Sequence, residues 1–140
     1  MSLKPILLAG AAMVALAGCS SIPYAQRQAA YAAAAGAPVR SFRFFMPMWS
    51  WESLGSDQVV IYTKPKEAWL LDVPGCTELP FANTIGITSN LNQVTINFDK
   101  VITGRNQLPC AIHQIRPVDV GKLKALQQEQ RQVTPEPRRS

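Results

Sequence analysis

The sequence predicts a mainly β fold: a small antiparallel sheet or partly closed barrel of about five or six strands, followed by a short C-terminal helix. Three observations carry this. Short β-branched and aromatic runs recur through the middle of the chain, turn residues separate them, and one amphipathic stretch follows the last of them.

The first strand is expected in the aromatic run that holds Phe42, Phe44, Phe45, Trp49 and Trp51, with Pro47 forcing an edge or a bulge. Val59, Val60, Ile61, Tyr62 and Thr63 form the next, between Gly55 and Asp57 on one side and Lys64 and Pro65 on the other. Residues 68–73 follow and stop at Pro74 and Gly75. Residues 84–88 place Ile85 and Ile87 on one face. Residues 93–98 alternate, which predicts Val94, Ile96 and Phe98 facing inward. Ser89, Asn90, Leu91 and Asn92 between these two suit a hairpin loop. Residues 100–103 and 110–116 complete the set. Asp119 then caps a helix of about three turns, with Val120, Leu123 and Leu126 near one face.

The N-terminal residues differ in kind. Met1 to Pro5 carry one charge, Lys4, and twelve residues from Ile6 to Ala17 have no charge or strong polar group. A basic start, an apolar stretch and small residues at its end describe a secretory signal peptide. Twelve residues of helix span about 18 Å, short of the roughly 30 Å of a bilayer core. Leu16, Ala17, Gly18 and Cys19 then resemble the lipobox of bacterial lipoproteins. That resemblance implies cleavage before Cys19, a thioether-linked diacylglycerol on its sulfur and a fatty acyl (palmitate-type) chain on its amino group. Ser20, in place of an aspartate, implies the periplasmic face of the outer membrane. The alternative cut after Ala17 would leave three cysteines in an oxidising compartment, one of them unpaired.

The chain is thus expected to divide into a signal peptide at residues 1–18 and a lipidated cysteine with an alanine-rich tether at 19–38. A disulfide-stapled β domain follows at 39–124, then the end of the helix and a basic tail at 125–140. The tether is read as such because residues 24–37 show no apolar stripe to bury. The net charge of +5 belongs to the ends. Residues 44–121 carry five basic and seven acidic side chains, whereas residues 122–140 carry five basic and two acidic. A basic nucleic-acid-binding domain is therefore not expected, and no recognition motif for one occurs.

Cys76 and Cys110 are expected to pair, because a domain of about 85 residues has a small core that a cross-link supports. No C-x-x-C or metal-ligand pattern accompanies them, so neither a metal nor a cofactor is expected. The aromatics Phe42, Phe44, Phe45, Trp49 and Trp51 are the candidate partner-binding residues, with Met46 and Met48 adding adaptable apolar surface. The competing reading places them in the core. His113 is the single histidine. Catalysis by it would need a nucleophile and a neighbouring acid, drawn from Ser89, Asp72, Asp99 or Asp119. The carboxylates Glu52, Asp57, Asp72, Glu78 and Asp99 are isolated in sequence, and Asp57 and Asp99 suit turn-making roles.

A wider resemblance rests on Trp51, Asp57 and the strand at 59–62; on Trp69, Leu70, Leu71, Cys76 and Leu79; and on Ile85 to Thr88. It continues through Phe98, Asp99 and Val101 to Cys110, Ala111, Ile112, Ile115 and Pro117. Over about residues 49–118 the chain resembles an uncharacterised family of small Gram-negative envelope lipoproteins. That family implies an envelope location and a cysteine pair, and supplies no catalytic residues. The function expected is therefore a lipid-anchored periplasmic binding or structural module without catalytic activity. Its partners would be the membrane, through the lipid, and an envelope protein or small ligand. The alternative is a small envelope hydrolase using His113 with a neighbouring carboxylate.

Overall fold

A computed structural model of the chain describes residues 23–104 and 108–133. The expected signal peptide, Cys19 and residues 134–140 of the expected tail lie outside them. The element order is α1 (Tyr24–Ala34), β1 (Ser41–Arg43), β2 (Ser50–Ser53), β3 (Gln58–Lys64), β4 (Glu67–Asp72), a 3-10 turn (Leu79–Phe81), β5 (Gly86–Ile87), β6 (Gln93–Thr95), β7 (Lys100–Ile102), β8 (Cys110–Ala111), β9 (Gln114–Val118) and α2 (Val120–Val133). The fold is mainly β, and its sheets are small, antiparallel and open rather than closed into a barrel. One has four strands, β2-β3-β4-β9; one has three, β5-β7-β8; and one has two, β1-β6.

The four-stranded sheet divides the molecule. Successive side chains of a strand point to opposite faces, so β3 sends Val59 and Ile61 one way and Val60 and Tyr62 the other. Register aligns Val59 with Leu71 and, through β4, Leu71 with Ile115. These side chains meet Phe42, Phe44, Val94, Val101 and Ile112 in or beside the smaller sheets and at the start of the β8-β9 link, and Leu79 from the 3-10 turn, all buried. On the opposite face, Val60, Ala68, Leu70 and Val118 lie under the two helices. The helices run antiparallel: the Asp119 N–H donates to the Ala34 carbonyl at one end (2.9 Å), and Gln130 Nε2 to the Gln26 carbonyl at the other (2.9 Å).

The alanine-rich run is the main correction. It is not a loose tether but α1, packed on the sheet through Ala30, Tyr31 and Ala34. Two alanines and a tyrosine make a narrow stripe of low hydropathy, yet small side chains let the backbone approach closely and the tyrosine supplies the bulk. Beyond α1 the chain runs along the outer side of β9. The Gly36 N–H donates to the Pro117 carbonyl (2.8 Å) and the Val39 N–H to the Ile115 carbonyl (2.8 Å).

β3, β4, β7 and the C-terminal helix form where the sequence predicts them. Asp119 Oδ1 accepts the Lys122 N–H (3.0 Å), and Val120 and Leu123 are buried. The helix is longer than expected, at 14 residues. The aromatic run divides into β1 and β2, and residues 110–116 divide into β8 and the start of β9.

The expected hairpin between residues 84–88 and 93–98 is absent as such. β5 pairs with β7 and β6 with β1, although Asn90 and Gln93 bracket a tight turn whose Leu91 and Asn92 both have positive φ. Phe98 does not face inward but is exposed. β6 ends at Thr95, and Asn97 takes a left-handed conformation (φ 61°) that breaks the alternation before Phe98.

Candidate functional site

The structure separates the five sequence-predicted aromatics. Phe42 in β1 and Phe44 just after it are 3% and 2% exposed. The Phe42 ring stacks on Trp69 at 4.9 Å and meets Phe44 edge-on at 6.4 Å. Both belong to the core, so neither can take part in a docking face. Trp51 lies opposite Ile61 and is half-buried against the same core. Phe45 and Trp49 point outward, 56% and 58% exposed, and Met46 between them is more exposed still. Strand alternation explains the first change of side, from Phe44 to Phe45.

Leu91 joins this surface, although the sequence singles it out only as a loop residue. The Phe44 N–H donates to the Asn92 carbonyl (2.8 Å), which brings the start of the loop against the turn that holds Leu91. Leu91 is itself exposed at the tip of its turn. Of the other exposed large side chains among the described residues, Tyr24 begins α1, and Phe81, Phe98, Ile102 and Leu108 lie on or beside the three-stranded sheet and in the 3-10 turn.

A polar chain connects this surface to the first turn of α1. The Trp49 ring lies 6.0 Å from the Tyr62 ring. The hydroxyls of Tyr62 and Tyr31 are 2.8 Å apart, and the Tyr31 hydroxyl donates to Glu52 Oε1 (2.8 Å). A phenol has one proton to give, so Tyr62 is the donor to Tyr31. Arg27 Nη1 donates to Glu52 Oε2 (2.7 Å), and its guanidinium lies 4.7 Å from the centroid of the Tyr24 ring. Gln28 Nε2 adds a bond to the Leu54 carbonyl (2.6 Å). Burial, with the neighbouring Tyr62 and Glu52, pushes the Tyr31 phenol well above its ordinary range. Burial also raises that of Tyr62. These hydroxyls stay protonated and serve as fixed hydrogen-bonding groups that lock α1 to β2 and β3.

The remaining candidates have local partners. Cys76 and Cys110 form a disulfide across 34 residues, with Cα atoms 5.6 Å apart. Asp99 is buried. Its Oδ1 accepts the Thr88 hydroxyl (2.7 Å) and its Oδ2 the Thr95 N–H (2.8 Å), which ties the β6-β7 turn to β5. Asp57 Oδ1 accepts the Gly75 N–H (3.0 Å) at the turn where Gly75 takes positive φ. Asp72 Oδ1 accepts from Gln58 Nε2 (3.0 Å). Glu78 and Ser89 are exposed. The His113 side chain is exposed too, and only its backbone N–H is engaged, by the Asp72 carbonyl (2.9 Å).

Among the described residues, no three of the His, Cys, Asp and Glu side chains gather where they could hold a metal ion. No described helix is long and apolar enough to cross a membrane. The arrangement therefore offers an exposed apolar loop rigidly joined to α1.

No curated protein and no solved structure matches the chain. The profile of a family of unknown function (DUF6491) matches residues 2–134, nearly the full length, and the chain belongs to that family.

Proposed function

We propose that the protein is a lipid-anchored module of the Gram-negative cell envelope, held at the periplasmic face of the outer membrane and acting by binding or support rather than by catalysis. The observation that carries this reading is the distribution of the cysteines. The folded domain joins Cys76 to Cys110, which suits an oxidising compartment. Of the three cysteines, that leaves Cys19, which stands directly after Leu16, Ala17 and Gly18 at the end of an apolar stretch. Acylation of Cys19 uses the odd thiol, and several acyl chains hold a protein at a bilayer far more firmly than one. The exposed loop with Phe45, Met46 and Trp49 is the working surface in this reading.

The test is the intact mass of the protein extracted from membranes. A chain beginning at Cys19 with the added mass of a diacylglycerol and a fatty acyl group is expected. A mature chain without lipid, or an uncleaved one, overturns the reading.

A further inference from the structure

We propose that Tyr24, Phe45, Met46 and Trp49 form a membrane-apposition surface that rests in the headgroup region of the same phospholipid bilayer that holds the acyl chains of Cys19. This rests on the lipid-anchor reading above and names what occupies its working surface.

The first argument is reach. Cys19 stands five residues before Tyr24. A fully extended chain covers at most about 3.6 Å per residue, so the two Cα atoms are at most about 18 Å apart. A loose tether after the anchor would let a domain drift from the membrane. Here α1 begins at Tyr24 and is fixed to the sheet by Arg27 on Glu52, Gln28 on the Leu54 carbonyl and Tyr31 on Glu52. The lipid would thus hold the folded body itself against the bilayer.

The second argument is direction. From Tyr24 to Tyr31 the helix rises about 10 Å. Tyr31 bonds Tyr62, and Tyr62 faces Trp49. β2 is an edge strand of the four-stranded sheet. It accepts the first half of α1 through Glu52, and residues 44–49 lead directly into it. The anchored half of α1, which meets β2 at Leu54, and the apolar loop, which enters β2 at Ser50, therefore flank the same edge of the sheet from opposite ends of the strand.

The third argument is chemistry. Exposed tryptophan and tyrosine are the side chains that settle at membrane–water interfaces, because each joins an apolar ring to a polar group. Trp49 and Tyr24 fit that description, and Phe45 and Met46 add apolar bulk. Basic side chains flank the surface. Arg43 is exposed just before the loop, and Arg131, also exposed, follows the Gln130 that bonds the start of α1, whereas Arg27 over Tyr24 is already paired with Glu52. Cations in these places suit anionic phospholipid headgroups.

The experiment uses the full acylated protein in vesicles of phosphatidylethanolamine and phosphatidylglycerol carrying brominated acyl chains, with tryptophan fluorescence as the readout. Its mass is measured first, so that an absent lipid counts against the anchor reading and not against the surface. Bromolipids are expected to quench the wild-type emission. Trp49→Phe, an exposed substitution, should lose most of that quenching, since Trp51 and Trp69 are packed against the core. The double variant F45S/M46S should weaken it while Trp49 is retained. Acylated wild type that shows no quenching, or W49F that keeps it in full, overturns the proposal. So does a photocrosslinker at position 49 that captures one protein and no lipid.

Discussion

On one face of the four-stranded sheet, Val59, Ile61, Leu71 and Ile115 meet other apolar side chains and a disulfide; on the other, an alanine-rich helix is held by tyrosines, a glutamate and an arginine. The first face depends on volume and exclusion of water. The second also buries Leu54, Val60, Leu70 and Leu123, but the placement of α1 on it depends on direction, since Ala30 and Ala34 bury little area and the Tyr31 hydroxyl must find Glu52 and Tyr62. An apolar layer tolerates small shifts of its elements, whereas a chain of hydrogen bonds fixes one placement of α1. That precision suits a helix leading directly from the predicted anchor.

The comparison can be broken hardest on the apolar face. Leu71 is fully buried between Val59 and Ile115. Leu71→Ala should cost about 4 kcal/mol through lost burial and the cavity left behind. In urea titration this appears as a lower midpoint with little change in slope. A cost under about 1 kcal/mol would mean that this layer is not the one that holds the fold.

Next in size is the cross-link. Cys76 is buried in the apolar layer and Cys110 packs against it, closing a span of 34 residues. The double variant C76A/C110A should lose about 3 kcal/mol, mainly because its unfolded chain is less constrained. The same titration checks it, with the oxidised wild type as reference.

The smallest effect belongs to the helix face, and it alone carries a pH signature. Tyr31→Phe removes one donor and leaves Glu52 Oε1 without it, at a cost of about 1–2 kcal/mol near neutral pH. In the folded protein, burial raises the Tyr31 phenol above its unfolded value of about 10. The folded state therefore binds the proton more tightly. Its contribution is complete below about pH 10 and is lost as the pH rises toward the folded value. Wild type should lose stability on the alkaline side, and Y31F should lose less, the remainder falling to Tyr62. Parallel alkaline arms for the two proteins would remove Tyr31 from this role.

The apolar face was the legible one. β3 and β4 declare themselves through β-branched runs between turn residues, and Asp119 marks the start of α2. The cysteine pair followed from parity and domain size. The helix face was not legible, because its stripe is Ala30, Tyr31 and Ala34, which hydropathy does not distinguish from a linker. Pairing among the short strands was hidden too. Ser89 to Asn92 read as the loop of one hairpin, yet β5 and β6 go to different sheets, and the left-handed Asn97 turned Phe98 outward. The aromatic segment singled out in the sequence divides between solvent and core. Phe45 and Trp49 face solvent, Phe42 and Phe44 fill the core, and Leu91 comes near only through the bond of Phe44 to Asn92 in its turn.

The passage of residues 35–39 along β9 has a consequence for self-association. With Gly36 and Val39 bonded to that strand, its outer side is occupied, and β2 is the other edge of the four-stranded sheet. Edge strands are where sheets recruit further strands. A sheet with two open edges can extend without limit. One with a single open edge can join a second copy once, edge to edge, and then has nothing left to offer a third. Through this sheet the chain can form a pair but not a fibre.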